Sequence, residues 1–83
     1  MALFNRRSRA DEVQRGDVFR KLGTYGGDWV VDRVFDYPDI PRHVRMVERT
    51  TRRAMTVAAA LLYDPTFYTQ IGSSETDIPA AVD

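Results

Sequence analysis

Short apolar runs, each closed by glycine, proline or a polar turn, fill the chain from Val18 to Ile71. This spacing is the punctuation of strands rather than long helices. Gly16-Asp17 turns the chain into a first strand near Val18–Leu22. Gly23, Gly26 and Gly27 supply the backbone freedom for a link around Thr24 and Tyr25. Trp29–Tyr37 is rich in the Trp, Val, Phe and Tyr that suit a pleated surface, and it predicts a second strand ended by Pro38-Asp39-Ile40-Pro41. His43–Arg49 predicts a third strand. After the polar turn Thr50-Thr51-Arg52-Arg53, Ala54–Val57 predicts a fourth with Met55 and Val57 inward, and Phe67–Ile71 a fifth.

The second strand does not alternate cleanly. Trp29, Val31, Phe35 and Tyr37 share one parity with Arg33, and Val30 and Val34 share the other with Asp32 and Asp36. A single bulge near Asp32-Arg33 puts Val31 and Val34 on one face. Without it, both faces carry apolar surface and the core side stays open. Ala58–Tyr63 favours helix by composition but is too short to stand alone, so it predicts one helical turn packed on the barrel and closed by Asp64-Pro65.

Five short strands with a helical turn between the fourth and fifth predict a mainly β fold, a small five-stranded SH3-like barrel over residues 14–71. Residues 1–13 read as a flexible or partly helical lead: Ser8-Arg9-Ala10-Asp11 matches a capping box for a turn over Arg9–Gln14, and a disordered lead is the alternative; residues 72–83 read as a disordered acidic tail. With the Gly16-Asp17-Val18 opening, Trp29-Val30-Val31, the paired strands after Pro41 and Leu61-Leu62 before the last strand, the chain resembles the uncharacterised short bacterial SH3-like β-barrel proteins. That resemblance implies the fold and no biochemical activity. The KOW type of ribosomal and transcription proteins begins similarly but has a glycine near the position of Trp29.

An 83-residue chain is one small domain. It has no cysteine, which removes disulfides and thiolate chemistry, and a reducing, cytoplasmic location fits. Twelve basic residues balance twelve acidic ones, so no global field pulls the chain toward nucleic acid or anionic lipid. The charges are nonetheless grouped: Arg42, Arg45, Arg49, Arg52 and Arg53 crowd the middle, after Asp28, Asp32, Asp36 and Asp39. A solvated face, or arginines pairing with aspartates across strands two and three, accounts for this pattern. No apolar run is long enough to span a bilayer, and Met1-Ala2-Leu3-Phe4 before Arg6-Arg7 is too short for a signal sequence.

Little here carries catalytic chemistry. His43 is the only histidine and reads as a strand residue. Asp32 and Asp36 lie about 13 Å apart on a strand, too far for shared acid–base work, and read as solvent-facing charges. Gly23-Thr24-Tyr25-Gly26-Gly27 lacks the ending of a phosphate loop. No cofactor or metal is expected, and the chain reads as a non-enzyme. The function expected is an accessory module binding a protein, or a second copy through a strand edge or the Phe67–Ile71 strand. Tyr25, Tyr37, Arg42, Arg45, Arg52 and Arg53 are the candidate partner-binding residues. Tyr25 is flanked by glycines, and Arg52-Arg53 sit at a turn tip beside two threonines. The alternative is a nucleic-acid-binding SH3/KOW-like module in which Arg42, Arg45, Arg52 and Arg53 meet phosphates.

Overall fold

Gln14 to Asp17 form the corner from which the sheet starts. The Asp17 N–H donates to the Gln14 carbonyl at 3.0 Å, and the Gln14 N–H donates back to Asp17 Oδ2 at 2.9 Å. Gly16 sits at φ 100°, a left-handed conformation that only glycine adopts without strain. In the computed structural model, which describes residues 9–23 and 26–73, this corner follows a 3-10 turn at Arg9–Glu12, shorter than the turn expected over Arg9–Gln14. The start of the lead, Tyr25 and most of the expected tail lie outside the described residues.

Five strands follow: β1 (Val18–Lys21), β2 (Gly27–Phe35), β3 (His43–Glu48), β4 (Ala54–Ala58) and β5 (Tyr68–Gly72). One helical turn, α1 (Ala59–Leu62), separates the last two. All neighbouring strands are antiparallel, in the order β4-β3-β2-β1-β5. The mainly β class and the helical turn between strands four and five thus match the sequence reading. The sheet is open: no ladder joins β4 to β5 among the described residues. β2 starts two residues earlier than the sequence indicates and stops at Phe35, because Gly27 already pairs with Lys21. Tyr37 therefore lies in the β2–β3 link.

The irregular parity of β2 has a single cause. Val31 pairs with Met46 and Arg33 with Arg45, so Asp32 is an extra residue, a bulge. The strand changes face there. Trp29 and Val31 point to the core before it, Val34 points to the core after it, and Arg33 is turned outward. The Gly16–Asp17 corner holds the same point: the Gly16 N–H donates to the Val31 carbonyl at 2.7 Å, and the Val31 N–H donates to the Asp17 carbonyl at 2.9 Å. Arg15 Nε adds a bond to the carbonyl of Asp32 itself.

Arg45 closes the bulge from the other side, with Nε and Nη2 donating to the two Asp32 oxygens at 3.0 and 2.6 Å. The Asp32 side chain is only 6% exposed. It is therefore not the solvent-facing strand charge expected from the sequence, and Asp36 lies past the end of the strand. The bulge makes this difference by turning the Asp32 carboxylate onto its neighbour's guanidinium.

Phe19, Trp29, Val31, Val44 and Met46 form the sheet side of the core, and Ala59, Leu62, Val13 and Tyr68 close over it. Tyr63 meets the Phe19 ring edge-on at 5.5 Å between centroids. Burial of Ala59 and Leu62 makes up for the length of α1, since four residues do not hold a helix in water. A second buried row, Val18, Val30 and Val47, crosses β1, β2 and β3 on the opposite face. Trp29-Val30-Val31 is therefore buried on both sides of the strand.

Three outcomes follow for chemical denaturation. Met46→Ala, at a fully buried site, is expected to cost about 2–5 kcal/mol, with a smaller loss meaning that the interior collapses to fill the gap. Arg45→Ala leaves the Asp32 carboxylate buried without its partner and is expected to cost about 2 kcal/mol or more. Arg20→Ala, which breaks an exposed pair with Asp28, is expected to change little. Equal losses for the two arginine variants would show that the bulge does not depend on its ion pair.

Candidate functional site

The end of the sheet where β1 leaves and β2 enters also holds the β3–β4 turn. The register explains this: Trp29 stands opposite Glu48 on β3 and opposite Phe19 on β1. The turn is a closed hairpin in which the Glu48 N–H donates to the Arg53 carbonyl and the Arg52 N–H to the Glu48 carbonyl, both at 2.8 Å. Arg52 takes a left-handed φ of 65°, which reverses the chain into β4. On the other side, Gly26 is pressed against β1, and a Cβ there would run into the Lys21 carbonyl.

Between these two links lies a groove of about 780 Å3. Trp29 and Met55 supply its apolar surface, and Lys21, Glu48 and Arg53 its charges. Thr50 and Thr51 bring hydroxyls from the turn. The Glu48 carboxylate is already committed: Thr51 donates to its Oε1 through both N–H and Oγ at 2.7 Å. The hydroxyl bond first, then the backbone bonds, hold Glu48 below the ordinary carboxylate range. Neither the Lys21 ammonium nor the Arg53 guanidinium has an ion-pair partner among the described residues. The Trp29 indole N–H is buried and has no acceptor among the described residues. The groove thus offers an apolar wall, two cations with bonding capacity to spare and a carboxylate turned to its own loop.

The six residues singled out from the sequence do not share one surface. Arg53 lines the groove and Arg52 is its neighbour at the turn tip. Tyr25 lies outside the described residues, between Gly23 and Gly26. Tyr37 and Arg42 are at the far end of β3, about 17 Å away at strand rise. Tyr37 is exposed and stacks on Phe35, with 6.5 Å between centroids. Arg42 is a tie, donating to Asp36 Oδ2 at 2.8 Å and to the Asp11 carbonyl at 3.2 Å. Arg45 is spent on Asp32. Arg45–Asp32 is a pairing across β2 and β3 of the kind the sequence suggested, while Arg42–Asp36 joins the link beside those strands, and both ion pairs remove their arginines from the contact surface.

Lys21, Trp29, Glu48, Thr50, Thr51 and Met55 are among the groove residues absent from the sequence-based set. Trp29 carried the strongest signal, since a tryptophan at a strand start can both fill a core and face a groove, and here it does both. His43 Nδ1 lies 2.7 Å from the Pro41 carbonyl. Among the described residues no three His, Cys, Asp or Glu side chains are grouped to hold a metal ion, and no helix is long and apolar enough to cross a membrane. No protein-family model, curated protein or solved structure matches the chain.

Glu48 gives this site a pH signature. Because folding lowers its pKa, its contribution to stability is fully present above the ordinary glutamate range and is lost as pH falls through the lowered folded value. In a carboxyl NMR titration, Glu48 is expected to titrate below the ordinary glutamate range. Thr51→Ala, which removes the hydroxyl bond, should move it back up. An unchanged Glu48 midpoint in Thr51→Ala would refute the assigned cause.

Proposed function

We propose that the chain is a small, non-enzymatic SH3-like module that binds an extended, acidic and apolar segment of a protein partner in the groove between Trp29 and Arg53. The observation that carries this reading is the pairing of an aromatic wall with two uncommitted cations. An extended segment lays a large side chain against Trp29 and Met55 while a carboxylate meets Arg53 or Lys21. The SH3-like part of the reading is supported by the antiparallel order, by β5 returning to pair with β1, and by the helical turn before β5. In this reading the sheet curls around its core and its outer strands approach without bonding.

The nucleic-acid alternative is weaker on the same geometry. It needs Arg42, Arg45, Arg52 and Arg53 together, and two of these are held by Asp36 and Asp32. The turn tip alone offers few phosphate contacts.

Trp29 is the only tryptophan, so its fluorescence reports directly on the groove. Peptides selected from a random displayed library are expected to carry an acidic residue near a large apolar one and to shift that emission. Arg53→Ala should weaken them about tenfold, the value of one charge-assisted bond, and Tyr37→Ala should leave them unchanged. Peptides indifferent to Arg53→Ala and Lys21→Ala together would overturn the reading, as would preferential, salt-sensitive binding of oligonucleotides.

A further inference from the structure

The open sheet ends in two edge strands, and their edges are not equivalent. β5 limits its own exposure. Its pairing with β1 is broken by a bulge at Ile71, the Tyr68 N–H donates to the Asp64 carbonyl at 3.1 Å, and the Gln70 amide donates to the Gly72 carbonyl at 3.0 Å. β4 has no such guard. It pairs with β3 without interruption and contains neither charge nor proline, the usual devices that keep an edge from being extended.

The hydrogen bonds at each end of β4 tell which of its groups face outward. Glu48 donates to the Arg53 carbonyl at one end, and Ala59 to the Arg42 carbonyl at the other. Antiparallel bonding alternates, so Met55 and Val57 use their backbone groups on Met46 and Val44. Ala54 and Thr56 then present N–H and C=O away from the sheet, and Ala58 presents its N–H while its carbonyl starts α1. Among the described residues nothing bonds to these outward groups.

The edge is also self-complementary. Ala54-Met55-Thr56-Val57-Ala58 reads nearly alike in both directions, with Thr56 at its centre. The geometry points to a second copy of this chain as the occupant, docked by antiparallel β4–β4 pairing about a two-fold axis at Thr56. Thr56 then faces Thr56, and Ala54 faces Ala58, each in a hydrogen-bonded pair. Small side chains on the same face allow the close approach. Charge favours this arrangement as well. The Arg52-Arg53 end of each copy comes alongside the α1 end of the other, and α1 packs against the turn that bears exposed Asp11 and Glu12. The groove shares Arg53, Ala54 and Met55 with this end of β4, but the contact is made by outward backbone groups of the strand, so the inference does not rest on the peptide reading.

A cysteine-free chain makes the test direct. In a hydrogen-bonded antiparallel pair the two Cα atoms are about 5.5 Å apart, within the span of a disulfide. Thr56→Cys in a thiol–disulfide buffer is expected to form a covalent dimer about tenfold faster than Thr69→Cys on the β5 edge. By sedimentation equilibrium the unaltered chain should be a dimer. Thr56→Lys, which sets two like charges face to face, should weaken it about tenfold while keeping its far-UV circular dichroism. A monomeric unaltered chain, or Thr69→Cys crosslinking as fast as Thr56→Cys, overturns the proposal. If Thr56→Lys fails to fold, those two measurements decide alone.

Discussion

The bulge at Asp32 is the constraint on which the rest of this fold turns. β2 is the longest strand among the described residues, pairing with β1 over Gly27–Val30 and with β3 from Trp29 to Phe35. A regular β2 would turn Arg33 into the core and Val34 out of it. One extra residue corrects both at once, at the cost of an unpaired backbone position and a carboxylate in a poorly solvated place. The surroundings meet both needs. The Gly16–Asp17 corner bonds to Val31, Arg15 takes the Asp32 carbonyl, and Arg45 takes the carboxylate.

The same logic sorts the arginines. A chain with no net charge and only one lysine carries its positive charge almost wholly as guanidinium. Arg20, Arg42 and Arg45 each meet an aspartate across or beside the β2 ladders. Their planar, multi-donor heads suit two-oxygen pairing, and Arg20 and Arg45 both use two nitrogens on one carboxylate. Such pairs brace a small domain whose core is modest. The cations left over at the groove, Lys21 and Arg53, stand where no aspartate of β2 reaches.

Two surfaces of different character therefore lie close together on β4. The groove at its start is shaped by side chains, with Trp29 and Met55 as a wall. The edge along its length is shaped by backbone, and its small side chains offer little beyond hydrogen bonds. The groove would choose a partner by chemistry, and the edge by direction and register. β5, with its bulge and its self-satisfied groups, contributes to neither.

Much of the local structure was legible in the residues themselves. The Gly16–Asp17 corner, a helical turn before the last strand and the five strands follow from turn chemistry, composition and two-residue periodicity, because these act over a few neighbours; the broken parity of Trp29–Tyr37 allowed a bulge near Asp32 but left the core side open. Arginine–aspartate pairing was also legible as a pattern, though not which pairs form. What tertiary structure decided was register. Only the pairing of β2 with β3 sets Glu48 opposite Trp29 and brings the Arg53 turn to the Gly26 link, while it sends Tyr37 and Arg42 to the other end. Parity within a strand says which residues share a face. It carries no information on which residue of another strand arrives beside them, since that depends on long-range closure of the whole sheet over Phe19, Met46 and Leu62.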